Sequence, residues 1–462
     1  MDDPNLTVVQ TDLGEKIGHN NCPTCGSTDI ALNIDSGCLR CNACFHELET
    51  DVFAKAVTDI SSLDGTVVGS GAVNIPASVD DVLTFGCDTC GAEIVVDTSE
   101  SLLARCHWCR NSLSVNRQIP NGAVPDKVLP FSKKKVDAQA KINAFVRKRQ
   151  FFAHRKFKSE FTAENVIGVY LPYMVVDINS NAYLAGHGER LVDEYEINDT
   201  NFYDADLYEL SRKFSLIVEN LTIESNVEKL RHQSSSRTNN IVNAVMSFDT
   251  ENSLRWNSYF MRGFTSQKRD ADLRDLSGLI DAQVRDIARH QARQTIGKYD
   301  RGVRWDEEKL HILGSQWKAA YLPIWLYSYK HGDSIHYVAV NGRNLNTMGS
   351  VPINMPRLWV FSAIAQLIGI VTGVSVVAIM FYLGFDEESF AGLILFGLGP
   401  LFFWLVYSKY RNQDARFEHE SSADARMGNL QTSDDFVESI EGTTREETTG
   451  RNDDVVLYGG KG

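Results

Sequence analysis

The 462-residue sequence lacks the short motifs by which many enzymes announce themselves. It has no G-x-x-x-x-G-K-[ST] loop for nucleotide phosphates, no H-E-x-x-H pair and no G-x-S-x-G turn. No nucleophile with an adjacent base and no open metal site can be picked out, so no catalytic residue is assigned and an enzyme is not expected. Basic charge is also short. Lys and Arg number 46 against 60 Asp and Glu, and the formal net charge of −14 argues against a protein that coats nucleic acid over its whole surface. The opening MDDPNLTVVQTDLGEK has no basic n-region and no apolar h-region, so the front of the chain is expected in the cytosol. Thiols stay reduced there, and nine cysteines then point to metal rather than disulfides.

Eight of those cysteines form four C-x-x-C pairs. Cys22, Cys25, Cys41 and Cys44 recur at an offset of 65 as Cys87, Cys90, Cys106 and Cys109, a duplicated C-x2-C-x15-C-x2-C unit. Thr24, Gly26, Arg40 and Leu48 reappear at the same offset as Thr89, Gly91, Arg105 and Leu113. A C-x-x-C turn offers two thiolates from one knuckle, and two knuckles supply the four tetrahedral ligands that Zn²⁺ takes. Fifteen intervening residues suffice for a β-hairpin, so each unit is expected to be a zinc ribbon with one structural ion. A closed Cys₄ site leaves no position for a catalytic water. Cys38 falls outside the repeat, opposite Leu103, and is expected to be a small buried apolar residue; His46 and His107 adjoin complete thiolate sets and read as surface residues.

Charge is segregated. Residues 1–126 hold 6 basic and 18 acidic residues, whereas 127–158 hold 11 basic residues and one acid, Asp137; the tail from 412 holds 5 basic and 12 acidic. Such switching marks module boundaries. The expected order is a first ribbon over 1–50, a Gly/Ser/Val linker over 51–82, a second ribbon over 83–126, an α+β domain with β-hairpins over 127–352, a membrane hairpin over 357–411 and an acidic, disordered tail over 412–462. Within the α+β domain, VIGVYLPYMVVDI, FSLIVENLTI, YLPIWLYSYK and HYVAVNG read as strands. Helices are expected over Lys133–Phe152 and over Arg269–Thr295, where Leu273, Leu276, Ile280, Val284, Ile287 and Ala288 share a face. Tyr170-Leu171-Pro172 recurs as Tyr321-Leu322-Pro323, which suggests two related hairpins whose second strands carry Tyr183 and Tyr337.

Leu358–Leu383 is free of charge for 26 residues, long enough at 1.5 Å per residue to cross roughly 30 Å of hydrocarbon. Phe390–Tyr407 is a second apolar run near the minimum length, expected to kink at Pro400. Arg357 before the first run, Lys409 and Arg411 after the second, and Asp386, Glu387 and Glu388 between them predict a two-pass protein of the inner membrane with both termini cytoplasmic. Gly369 and Gly373 suit close helix packing, and the absence of intramembrane charge argues against a transport path.

The basic segment 127–158 interleaves its charges with Phe131, Phe145, Phe151, Phe152 and Phe157. A solvated helix face, an anionic inner leaflet and nucleic acid all remain open as its use. The candidates for an anionic surface are Lys133, Lys134, Lys135, Arg147, Lys148 and Arg149.

The segments CDTCGAEIVVDTSESLLARCHWC, PDKVLPFSKKK, FFAHRKFK, GVYLPYMVVD, SYFMRGFTSQKRDAD, AAYLPIWLYSY and VAVNGRNLNTMGSVP together resemble a bacterial family of TFIIB-type zinc-ribbon proteins, over about Cys22 to Pro352. The resemblance implies association with flotillin-like SPFH proteins and phage-shock-type membrane maintenance, in which members act as anchors. Two departures stand out. The glycine usual after each second knuckle is Phe45 in one ribbon and Arg110 in the other, and the family's N-G-x-T-G turn reads Asn341-Gly342-Arg343-Asn344-Leu345, without its second glycine. The sequence therefore predicts a membrane-anchored cytoplasmic adaptor that recruits protein partners, with two structural Zn²⁺ and no small-molecule substrate. The alternative is a membrane-attached nucleic-acid binder using 127–158.

Overall fold

The computed structural model describes residues 6–11, 21–53, 57–73, 82–86, 93–97, 103–105, 112–114, 124–197, 200–225, 245, 247–266, 269, 271–297, 299–331, 334–382, 395, 397–411 and 423–443. After strand β1 (Leu6–Val9), the first cysteine group folds as a three-stranded antiparallel sheet of β2 (Ile30–Leu32), β3 (Leu39–Cys41) and β4 (Glu47–Leu48). Then come β5 (Gly65–Gly69) and two short ladders, β6 (Val82–Gly86) with β7 (Glu93–Asp97) and β8 (Leu103–Arg105) with β9 (Ser112–Ser114). An offset of 65 carries β2, β3 and β4 onto β7, β8 and β9, so the strands repeat with the same period as the cysteines.

The rest is α+β around one large sheet. Its strands are β10 (Lys127–Val128), β11 (Ile167–Ile197), β12 (Thr200–Glu224), β13 (Leu254–Arg255), β14 (Thr265–Ser266), β15 (Gly302–His331), β16 (Ser334–Asn341), β17 (Thr347–Gly349) and β18 (Asp424–Thr443), with the main path β1-β5-β15-β11-β12-β18. The 31 residues of β11 reach about 100 Å at the usual rise, where an average strand has five or six residues. The helices are α1 (Lys135–Arg147), α2 (Arg155–Glu160), α3 (Leu273–Arg293), α4 (Met355–Tyr382) and α5 (Leu398–Arg411).

The repeated tripeptide lies at a local two-fold. Tyr170 pairs with Pro323, Leu171 with Leu322 and Pro172 with Tyr321 across β11 and β15, and each strand then turns back, into β12 or β16. Tyr337 lies in β16 as expected, whereas Tyr183 lies within β11 itself, because β11 runs on for 25 residues beyond Pro172. Proline is tolerated in these central strands because its missing N–H falls where the outer strand ends. The carbonyl of Pro172 accepts from Ser225, just past β12, and that of Pro323 accepts from Gly342, just past β16.

Helix α3 starts where Asp272 accepts the N–H groups of Arg274 and Asp275, with Asp275 returning to Asp272. Its buried Leu276, Ile280, Val284, Ile287 and Ala288 pack with Ile178, Leu184, Phe214 and Leu216 of the sheet. Buried at the bulge of β11, Asp177 meets Lys318 at 2.6 Å and also accepts the Asn220 N–H.

Three expected boundaries are corrected. Within the span 51–82, expected as a linker, β5 pairs parallel with β15 and with β1; the approach is so close that a Cβ on Gly314 would stand 2.4 Å from the Leu63 carbonyl. Buried Asp126 ties the same layer, accepting from Thr11 Oγ1, Gly71 N and Ala319 N. Part of the acidic tail, expected to be disordered, is a strand: β18 lines the edge of β12, where buried Arg212 pairs with Asp434, and Ala425 and Met427 pack on the α3 core. Lastly, the basic helix is shorter than expected and stops at Arg147.

Over Met355–Ile379, α4 is long and apolar enough to cross a membrane, and most of that length is not buried by protein. The other expected span begins with residues outside the described set. Its described part, α5, has 14 residues and packs antiparallel on α4, with Phe403 4.8 Å from Trp359 and Gly399 N donating to Gln366 Oε1 at 3.2 Å. Pro400 sits in the first turn of α5, where its missing N–H is not needed, and most of the run before Leu398, on which the expected kink depends, lies outside the described residues.

Candidate metal centre

In the first ribbon both knuckles close in the same way. Gly26 N donates to the Cys22 carbonyl and Phe45 N to the Cys41 carbonyl, at 2.8 and 2.9 Å. The residue after the second cysteine of each knuckle takes a left-handed conformation, and Gly26 does so with φ +71°. Phe45 does so with φ +64°, its ring outward and the Arg40 guanidinium 4.8 Å from the ring centre. The knuckle geometry thus survives the loss of glycine, at the cost of a strained residue.

Cys22 and Cys44 sulfurs stand 3.6 Å apart, as do those of Cys25 and Cys41, and all four lie within 4.8 Å of one another. Four sulfurs about 2.3 Å from one Zn²⁺ at tetrahedral corners would stand roughly 3.8 Å apart, so the quartet fits the ion. The backbone is arranged for thiolate. N–H groups of Cys44 and Ala43 draw the Cys41 thiol down to about 6. Burial raises the Cys22 thiol, but the N–H groups of Cys25 and Thr24 bring it below its ordinary value. Although the Ser27 N–H pulls Cys25 down, the neighbouring sulfurs of Cys44, Cys41 and Cys22, together with burial, push it up to about 12. A fourth thiolate in so small a space calls for a cation, and a dication supplies the charge. Cys38 stays outside the quartet, half-buried, with its sulfur 3.7 Å from the Ser36 carbonyl. Cys87, Cys90, Cys106 and Cys109 lie outside the described residues.

The ribbon does not hang free. Arg262 donates to the carbonyls of Thr28 and Ile30 and pairs with Asp29 at 2.9 Å, while Lys134 meets Asp35 at 2.6 Å. Ile30, Leu39 and Cys41 join one apolar cluster with Tyr259, Phe260 and Met261 of the body. Sequence reasoning missed Arg262, whose only signal was its place in the segment SYFMRGFTSQKRDAD.

The six basic candidates do not form one surface. Lys133, Lys134 and Lys135 lie at the start of α1, where Lys134 serves the ribbon and the Lys133 carbonyl accepts the Trp325 indole N–H. Arg147 and Lys148 are exposed at the other end of the helix. Arg149 is corrected. It is buried, its Nε donates to the Lys409 carbonyl at 3.0 Å, and its guanidinium lies 3.6 Å from the Phe145 ring centre. This satisfies a carbonyl at the end of α5. Phe152 N donates to Tyr410 Oη, Asn354 N to the Phe152 carbonyl and Val351 N to the Tyr410 carbonyl, so one short stretch grips the start of α4 and the end of α5.

The turn at 341–345 closes without a second glycine. Asn341 Oδ1 accepts from Arg343 N and Asn344 N, and Leu345 takes the left-handed conformation at φ +65°.

No protein-family model and no solved structure matches the chain. It is similar to the uncharacterized protein YdjG of Bacillus subtilis (strain 168), at 22% identity over 351 residues, which span 74% of this chain and 93% of the relative. Among its described residues the chain is an α+β protein with a cysteine quartet that could bind one metal ion and one helix that could cross a membrane.

Proposed function

We propose that the protein is a two-pass, membrane-anchored scaffold that gathers protein partners at the cytoplasmic face of the inner membrane. In this reading Cys22, Cys25, Cys41 and Cys44 hold one structural Zn²⁺ and Cys87, Cys90, Cys106 and Cys109 a second, and α4 enters the bilayer with α5 as the returning arm. Tethering raises the effective concentration of a bound partner near the lipid without any chemistry. The resemblance noted in the sequence favours SPFH-type or phage-shock-type proteins as partners. The observation that carries the reading is the grip of Arg149–Phe152 on the start of α4 and the end of α5. A rigid joint of that kind suits a body held at a lipid surface better than one trailing from a loose tether.

The test is purification of the detergent-solubilised protein with its bound partners, identified by mass spectrometry, from cells carrying the intact chain or one lacking 358–407. Partners recovered with the intact chain should leave the membrane fraction when that segment is removed. Unchanged membrane recruitment of those partners would overturn the proposal. Elemental analysis should return two zinc ions per chain.

A further inference from the structure

The fold divides the basic segment among several uses. Lys127 is buried, Lys134 is paired with the ribbon, Arg149 is spent on the end of α5, and Lys156 stands 3.9 Å from Glu160. Arg147, Lys148 and Arg155 remain exposed on either side of the stretch that grips the two apolar helices. Among the described residues no carboxylate pairs with any of the three, or with Arg357 in the first turn of α4.

Phe151 stands among them. Its ring is half exposed, meets Phe361 of α4 edge-on at 5.2 Å and lies under the Arg357 guanidinium at 4.1 Å. A large ring open to solvent at the root of an apolar helix, flanked by unpaired cations, has the make-up of a segment lying in the interface between water and lipid.

We propose that Arg147, Lys148, Phe151, Arg155 and Arg357 form a collar that binds the phosphate headgroups of anionic phospholipids. Phe151 sits at the level of the acyl chains, and the guanidinium and ammonium groups take the phosphates. The inference rests on the reading that α4 spans a bilayer and adds the lipid class it selects. Charge complementarity carries the choice of occupant: the whole chain is at −14, so an anionic bilayer repels most of the body and the collar decides which face meets it.

The test uses the full-length protein exchanged into mixed phosphatidylcholine and phosphatidylglycerol nanodiscs, with retained lipids counted by native mass spectrometry. The intact chain should retain phosphatidylglycerol over phosphatidylcholine by at least about tenfold, and the triple variant Arg147→Glu, Lys148→Glu, Arg155→Glu should lose that preference. Should the triple variant fail to fold, Arg147→Gln with Arg155→Gln is read instead, with the preference expected to fall severalfold. Equal retention of the two lipids by the intact chain, or an undiminished preference in the folded variants, overturns the collar. So does duplex DNA that binds the same cations more tightly than the anionic lipid. Alkaline carbonate separates the two ideas. An intact chain that resists extraction but shows no lipid preference sinks the collar alone, whereas one released by carbonate sinks the spanning reading and the collar with it.

Discussion

At the scale of single residues, two left-handed positions without glycine make opposite predictions. The conformation costs about 1–2 kcal/mol, and for Phe45 it is offset only by an exposed stack with Arg40 worth about 0.5–1 kcal/mol. Phe45→Gly should therefore stabilise the ribbon by roughly 0.5–1 kcal/mol in thermal denaturation. Leu345 packs against the cluster that holds Phe131 and Trp325, and the same change there forfeits that contact, so no gain is expected. The buried pair of Asp177 and Lys318 is a sharper case. Lys318→Met leaves the carboxylate buried without its cation and should cost about 3–5 kcal/mol in urea denaturation, most of it recovered when Asp177→Asn is added.

Two other carboxylates set opposite limits on pH. Burial raises Asp249, but Arg343 and Asn252 outweigh it and hold the carboxyl below its ordinary value. Its contribution is full above the unfolded value near 3.8 and is lost as pH falls through the lower folded value. Asp126 has the reverse sign, because burial raises it beyond what Thr11, Gly71 and Ala319 can offset. It binds its proton more tightly in the folded state, so its contribution declines as pH rises from about 3.8 through the higher folded value. Asp249→Asn should flatten the acid limb of a stability-versus-pH curve, and Asp126→Asn should flatten the decline above it, each followed by denaturant midpoint.

At the scale of elements, β18 makes a specific prediction. Ending the chain before Asp424 bares the edge of β12 and strips buried Arg212 of its carboxylate. Hydrogen exchange should then lose protection along β12 at Leu207–Ile217, with little change in β16. The sequence could not show this strand, because its apolar residues follow no clear alternation, Leu430, Phe436 and Val437 being exposed while Ala425 and Met427 pack on the core, and its partner lies more than 200 residues away. Helix α3 was legible for the opposite reason. Its periodic face is local and survives in the fold, although the helix starts at Leu273, behind its Asp272 cap, rather than at Arg269. The cysteine quartet was legible too, since two knuckles and a hairpin need only short-range spacing. What a residue serves at long range was not legible: nothing near Arg149 in sequence points to Lys409, and nothing near Gly65 points to Gly314.

For the whole molecule, the shared cluster links the cysteine quartet to the body. Ile30 and Cys41 belong to the same apolar core as Met261, Phe131, Phe152 and Leu358, which runs from the knuckle to the root of α4. If the quartet holds the proposed Zn²⁺, a chelator should lower the melting temperature of the entire body, in one transition rather than in a separate ribbon phase. The long sheet has a mechanical consequence. Hydrogen bonds between antiparallel strands lie across the strand axis, so tension applied along β11 from end to end loads the whole ladder in shear. A sideways pull on the free end of β18 instead opens one rung at a time. The same spar is thus stiff to load in one direction and yields at its margin to load in the other.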